Sequence, residues 1–243
     1  MRGLHMYDYQ TELWRKLLHV EDGGGGEHRL KEEICQIGRR MDESGLAMFL
    51  GVYAPGNLSA RLPGSERVIV TPSGFPKGAL KPEDLVVVDL HGNKIEGRWR
   101  PSIETPMHCA IYRRRQDVNG IVHAHAPRSL AYAVAYEEIP ATTIELAGVT
   151  GGRVPVARYA TPATEELGEI TAEALGDKDA VLMGNHGLVA VGRTLEEAFN
   201  NALSVEYTAM VNIYAKVLGV PVEIPLDEVR AVRRYIIEKY GQK

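Results

Sequence analysis

The run IVHAHAP, residues 121–127, decides how this chain is read. Its apolar, β-branched start and its closing proline predict a short buried strand over Gly120–His125, ended by Pro127. His123 and His125 stand at i and i+2, so a strand points both side chains to one face, about 7 Å apart. Two imidazoles at that spacing can share one metal ion. A catalytic metal site then needs a third protein ligand and an open position. Taken alone, the pair favours the plainer reading of two hydrogen-bonded histidines near a strand end.

Outward from this strand the chain alternates short β-rich runs with helical patterns. Val68–Thr71 and Leu85–Leu90 read as strands, and Val181–Met183 with Leu188–Val191 read as a hairpin around GNHG. Leu30, Ile34, Ile37 and Met41 recur at helical spacing. A helix is predicted over Pro106–Arg115, with Thr105 as N-cap and Pro106 in the first turn, and another over about Thr164–Leu175. The last begins at a capping box of Thr194 and Glu197, with Leu195, Ala198, Phe199, Ala202, Val205 and Ala209 on one face. The alternation is not strictly βαβ. It predicts an α/β fold whose mixed or largely antiparallel sheet is covered by helices, rather than a dinucleotide-binding fold. Residues 1–28 read as an N-terminal extension with a flexible break at Gly23–Gly26, and 29–243 as one domain.

Length and composition suit this reading: 243 residues, 44% hydrophobic and 25% charged, are ordinary for a globular domain with a sizeable core. A net charge of −4 with interspersed signs argues against nucleic acid as a partner. No run approaches the roughly 20 apolar residues of a membrane span. Cys35 and Cys109 stand in no metal or redox spacing, which suits a reducing cytoplasm.

Of the other histidines, His5, His19 and His28 lie in or beside the extension, and His91 sits in a polar turn. His108 follows a helix start and could stand behind the ligands. His186, in a turn between two apolar strands, is the best third ligand on spacing. Glu104, in PSIETPMH (101–108), lies just before a helix start, where free N–H groups favour an anion. It reads either as a dipole-complementing carboxylate or as an acid/base group, although a helix end lowers its pKa and a general base works best near neutrality. PGNLSAR (55–61) and TPSGFPKG (71–78) read first as turns. Together with Ser102 they could form a phosphate cradle of N–H groups and hydroxyls. There is no Walker A loop, G-x-G-x-x-G fingerprint or G-x-S-x-G elbow.

In this order GNLS, TPSG, PSIE, HAH and NHGL resemble the class II aldolase/adducin family, nearest its L-fuculose-1-phosphate aldolase branch, over about Leu30 to Gly219. The resemblance implies a single-domain α-β-α sandwich with a mixed, mainly antiparallel central sheet. It implies Zn²⁺, with Mn²⁺ or Co²⁺ as alternatives, on His123, His125 and His186, and Glu104 as the acid/base carboxylate. Phosphate binding would fall to Asn57, Ser73, Gly74 and Ser102. The expected activity is that of a carbon–carbon lyase cleaving a phosphorylated ketose, such as L-fuculose 1-phosphate, to dihydroxyacetone phosphate and an aldehyde. The expected assembly is a homotetramer with active sites between subunits.

Two positions depart from that pattern. Ile103 replaces a serine of the family's Ser-Ser-Glu, and Ile144 falls where the fuculose-phosphate enzyme carries a tyrosine from a neighbouring subunit. Thr143, Glu145, Tyr235 and Tyr240 are the candidate substitutes. The alternatives are a sugar-phosphate 4-epimerase, which typically carries Asp at position 104, and a 5-deoxyribulose- or methylthioribulose-phosphate aldolase or dehydratase. A non-enzymatic adducin-like binding module, which would lack the full histidine set, is the alternative from another class.

Overall fold

The computed structural model describes residues 25–49, 52–53 and 56–239. Most of the expected N-terminal extension, with His5 and His19, lies outside these residues, as do Pro55 and Tyr240. In chain order the strands are β1 Met48–Phe49, β2 Val52–Tyr53, β3 Gly56–Arg61, β4 Arg67–Val70, β5 Val86–Asp89, β6 Lys94–Glu96, β7 Gly120–Ala124, β8 Val156–Ala157, β9 Ala180–Met183 and β10 Gly187–Gly192. The helices are α1 Gly25–Ser44, α2 Thr105–Arg114, α3 Pro127–Ala135, α4 Ile144–Thr150, α5 Glu165–Leu175, α6 Leu195–Leu218 and α7 Leu226–Lys239.

Strands β3 to β10 form one open sheet in the order β6-β5-β4-β3-β7-β10-β9-β8, antiparallel except for the β8–β9 pair at one edge. Alternation along the strands feeds two cores. Leu58, Ala60, Val122, Ala124, Leu188 and Ala190 face Ile34, Ile37 and Met41 of α1 and Phe199, Ala202 and Val205 of α6. Ile121, Val189 and Val191 face Met107 and Ile111 of α2 and Leu167 and Leu175 of α5. With both faces covered, β4, β5, β9 and β10 are apolar along nearly their whole length, which is why they appear in the sequence as continuous rather than alternating runs. The result is the expected α-β-α sandwich with a mixed, mainly antiparallel sheet.

Capping explains where the helices begin. Thr164 accepts from the N–H of Leu167 and Thr194 from that of Glu197, at 3.2 and 3.1 Å. The Glu197 carboxylate reaches back to the Arg193 N–H at 2.8 Å. At α2 the N-cap is Glu104, one residue before the Thr105 expected from sequence, and Ser102 Oγ accepts the Glu104 N–H at 3.3 Å. Pro127 does more than end a strand: β7 stops at Ala124, and Pro127 opens α3 in a first-turn position that needs no N–H. Gly25 and Gly26, expected in a flexible break, are instead the first residues of α1.

The largest correction concerns GNLSAR, expected as a turn and found as β3, buried at every residue and paired with both β4 and β7. Its Asn, Ser and Gly are turn formers by local chemistry. Here Asn57, Ser59 and Arg61 point to the α2 face, where each is hydrogen-bonded, and Leu58 and Ala60 enter the opposite core. Gly56 has φ +142° and stands so near the neighbouring strand that a Cβ would lie 2.8 Å from the His123 carbonyl oxygen. Only glycine permits both.

Candidate active site

Three elements bring the histidines together. His123 lies on β7, His125 just past its end, and His186 in the β9–β10 turn, with Asn185 in the left-handed region at φ +55°. The next residue, Gly187, leaves no space for a side chain: a Cβ would meet the Ala124 carbonyl at 2.6 Å and the His123 ring at 3.1 Å. The turn can therefore close onto β7. One potential ligand atom from each ring lies within 4.8 Å of the others. His123 is fully buried, His186 nearly so, and His125 half-buried.

Hydrogen bonding shows what this cluster accepts. His123 Nδ1 donates to the Leu188 carbonyl at 2.8 Å, which leaves Nε2 of the neutral ring as a bare lone pair. That lone pair faces His125 Nε2 at 3.0 Å and Glu104 Oε2 at 2.9 Å, while Glu104 Oε1 lies 3.0 Å from His186 Nε2. Acceptors facing one another in a buried space repel unless a proton or cation lies among them. Burial pushes the His125 ring down to about 3, helped by His123 and His186, so it remains a neutral donor at ordinary pH. Three imidazole nitrogens converging beside a carboxylate suit a divalent transition ion. The residues present fit such an ion. Burial alone would raise the Glu104 carboxyl, but positive charge shared with His123 and His186 at this point outweighs it and holds the group well below the usual carboxylate range.

The expected phosphate positions fall in two groups. Thr71–Ser73 and Arg100–Ser102 run side by side, with Ser73 N–H donating to the Arg100 carbonyl at 3.1 Å and Ser102 N–H to that of Thr71 at 3.0 Å. Ser73 and Gly74 are exposed, and Ser102 is buried at the start of α2. Asn57 stands apart, opposite His123 in the β3–β7 register. Its amide is engaged at both ends, donating to Glu104 Oε2 at 3.3 Å and accepting from His108 Nε2 at 2.5 Å.

Ile103 is 60% and Ile144 55% exposed, so the two departures lie where a substrate or a partner surface can reach them. Among the candidate tyrosine substitutes, Thr143 caps α4 by accepting the Leu146 N–H, and Glu145 and Tyr235 are exposed. Sequence reading noticed His108 without its partners and passed over Ser59 and Tyr112, which join it in a buried network behind Glu104. The signal was available: 104, 108 and 112 recur at helical spacing, and 57, 59 and 61 at strand spacing.

Comparison with known proteins gives the family. The Class II Aldolase and Adducin N-terminal domain matches residues 32–213. A 5-deoxy-D-ribulose 1-phosphate aldolase of Bacillus thuringiensis is 36% identical over 213 residues, covering 88% of this chain and 97% of that protein. An L-fuculose phosphate aldolase of Escherichia coli K12 is 36% identical over 185 residues, covering 76% and 83%. A solved structure of an L-fuculose 1-phosphate aldolase superposes with a TM-score of 0.80 at 36% identity, covering 86% of this chain and 96% of that one. The chain belongs to the class II aldolase and adducin family. Its aldolase relatives make it an enzyme of the carbon–carbon lyase type, in a metal-dependent family that acts on phosphorylated sugars.

Proposed function

We propose that this chain is a Zn²⁺-dependent aldolase that cleaves a 1-phosphorylated ketose, such as L-fuculose 1-phosphate, to dihydroxyacetone phosphate and an aldehyde. The observation that carries the reading is the convergence of His123, His125 and His186 with a buried Glu104 on one point. A divalent ion held by the three histidines supplies Lewis acidity toward the ketose oxygens and stabilises negative charge developing there. Glu104 handles the proton. As the C3–C4 bond breaks, the C4 hydroxyl proton passes to the Glu104 carboxylate while C4 becomes the aldehyde carbon, and the resulting carboxyl gives that proton to C3 of the enediolate; in the synthetic direction both transfers reverse. Ser73, Gly74 and Ser102 bind the phosphate and orient the reacting end, while Asn57, whose amide is engaged by Glu104 and His108, steadies the carboxylate.

A 5-deoxyribulose 1-phosphate substrate is the second reading, favoured by the Bacillus aldolase that this chain matches over 97% of that protein's length. Both ketoses share the phosphorylated half and differ in the aldehyde. Ile144 offers no hydroxyl to that aldehyde, which suits the shorter one. A homotetramer with active sites between subunits is supported by His186 Nδ1, which is buried without a hydrogen-bond partner among the described residues, and by exposed Val134, Tyr136 and Ile144. A cytoplasmic location fits the two free cysteines, and among the described residues no helix is long and apolar enough to cross a membrane.

A panel of 1-phosphorylated ketoses, with coupled detection of dihydroxyacetone phosphate, tests the proposal. Release from a deoxyketose phosphate, dependent on an added divalent ion, is expected. An epimerised sugar without dihydroxyacetone phosphate would replace the aldolase by an epimerase.

A further inference from the structure

Between β3 and α2 lies a polar ladder inside an otherwise apolar layer. Glu104, His108 and Tyr112 recur every four residues on α2, about 6 Å apart along the helix. Asn57, Ser59 and Arg61 recur every two residues on β3, about 6.6 Å apart along the strand. The two spacings nearly match, so each helix residue meets a strand residue. Tyr112 OH lies 2.9 Å from Ser59 Oγ, and Ser59 Oγ lies 2.6 Å from His108 Nδ1. His108 Nε2 lies 2.5 Å from Asn57 Oδ1, and Asn57 Nδ2 lies 3.3 Å from Glu104 Oε2. All five side chains are buried.

We infer that His108 is a positioning residue for the Glu104 carboxylate, acting through Asn57 at the centre of a one-way hydrogen-bond relay that starts at Tyr112. The inference rests on the aldolase reading of Glu104. The direction of each bond follows from the one before it. An ionised carboxylate only accepts, so Asn57 must turn its NH₂ toward Glu104 and its carbonyl toward His108. His108 Nε2 must then carry the proton, and in the neutral ring Nδ1 is a bare acceptor. Ser59 donates to it, and Tyr112 donates to Ser59. A doubly protonated ring is the only other arrangement, and burial first, then His123, opposes it by pushing His108 down to about 3. If the relay broke, the Asn57 amide could reverse and set its oxygen against the carboxylate that must move the proton. His108 touches neither the candidate metal ligands nor the phosphate positions Ser73, Gly74 and Ser102 by any hydrogen bond described.

Two kinds of measurement test this. The first is exchange of the C3 protons of dihydroxyacetone phosphate with D₂O, which reads the Glu104 step without any aldehyde. His108→Leu is expected to lower the exchange kcat roughly 10- to 100-fold, with KM and metal content within about twofold. Ser59→Ala should lower it less, and His108→Gln, whose amide donates to Asn57 and accepts from Ser59, should restore most of it. Unchanged exchange in both Ser59→Ala and His108→Leu would overturn the inference, as would a loss no larger than the loss of bound metal. The second is ¹⁵N NMR of histidine-labelled full chain, with Zn²⁺ and without it. An Nε2–H tautomer at His108, displaced by Ser59→Ala and by Glu104→Gln, is expected. An Nδ1–H tautomer, an imidazolium, or indifference to Glu104→Gln would overturn the relay. If the wild-type chain neither exchanges nor cleaves, the aldolase reading fails while the tautomer result still decides the relay.

Discussion

The two sides of the candidate site are built differently. The side that would hold the metal and move the proton sits on paired strands and a helix start: His123, His186 and Glu104 are buried, and the register beside them is shared by β3, β7 and β10. The side that would read the substrate carries exposed Ser73, Gly74, Ile103 and Ile144 on turns and on the first turn of α4. Strand pairing fixes the register and leaves little freedom to vary, whereas turns tolerate substitution. A common reaction with a variable aldehyde is what such a division allows.

The comparison can be broken most sharply on the strand side. Glu104→Gln is expected to retain bound metal and lose about 10²- to 10⁴-fold in aldol cleavage. His123→Ala is expected to lose both metal and activity, as metal analysis beside turnover would show. Equal turnover in Glu104→Gln would remove that carboxylate from the chemistry.

Acid should also act first on the buried side. His108 is held near 3, by burial foremost, against an ordinary 6.5. Its neutral burial contributes in full above pH 6.5. As the pH falls from there toward 3, the unfolded chain takes up a proton that the folded chain refuses. Stability is expected to fall by about 1.4 kcal/mol per pH unit for this one group. Denaturation midpoints between pH 7 and 5 check this, and His108→Gln should flatten the slope.

Metal linkage is the next largest effect. Zn²⁺ at about 100 times its Kd should stabilise the folded chain by about 2.7 kcal/mol, and chelation should reverse the shift in calorimetry. On the turn side the effects shrink. Ser102→Ala is expected to raise KM for a phosphorylated ketose roughly 5- to 10-fold with kcat nearly unchanged. Ile103→Ser, which restores a hydroxyl at an exposed position, should lower KM less than about threefold and change stability by less than about 0.5 kcal/mol. A larger effect at Ile103 than at Ser102 would reverse the order proposed for the two sides.

Where the residues of the strand side sit was legible because those signals are local, whereas their expected roles came from the resemblance carried by the five ordered motifs. The i, i+2 histidines need only strand geometry, His186 needs only a hairpin turn, and Glu104 needs only a helix start. The Thr164 and Thr194 caps were legible for the same reason. β3 was not, because Asn57 and Ser59 carry the same local chemistry in a turn as in a buried strand. Their partners, Glu104, His108 and Tyr112, lie about fifty residues away in sequence.

The sequence by itself determined the layered α/β class, because periodicity and turn chemistry act between residues a few positions apart, and it singled out the three histidines and the carboxylate as candidates through the order of its five motifs. Only the tertiary structure decided that GNLSAR is a central strand, that Pro127 opens a helix, and that Asn57 joins His108 to Glu104. A buried polar side chain adopts whatever backbone lets it keep its hydrogen bonds, and those partners exist only once the sheet and α2 have come together.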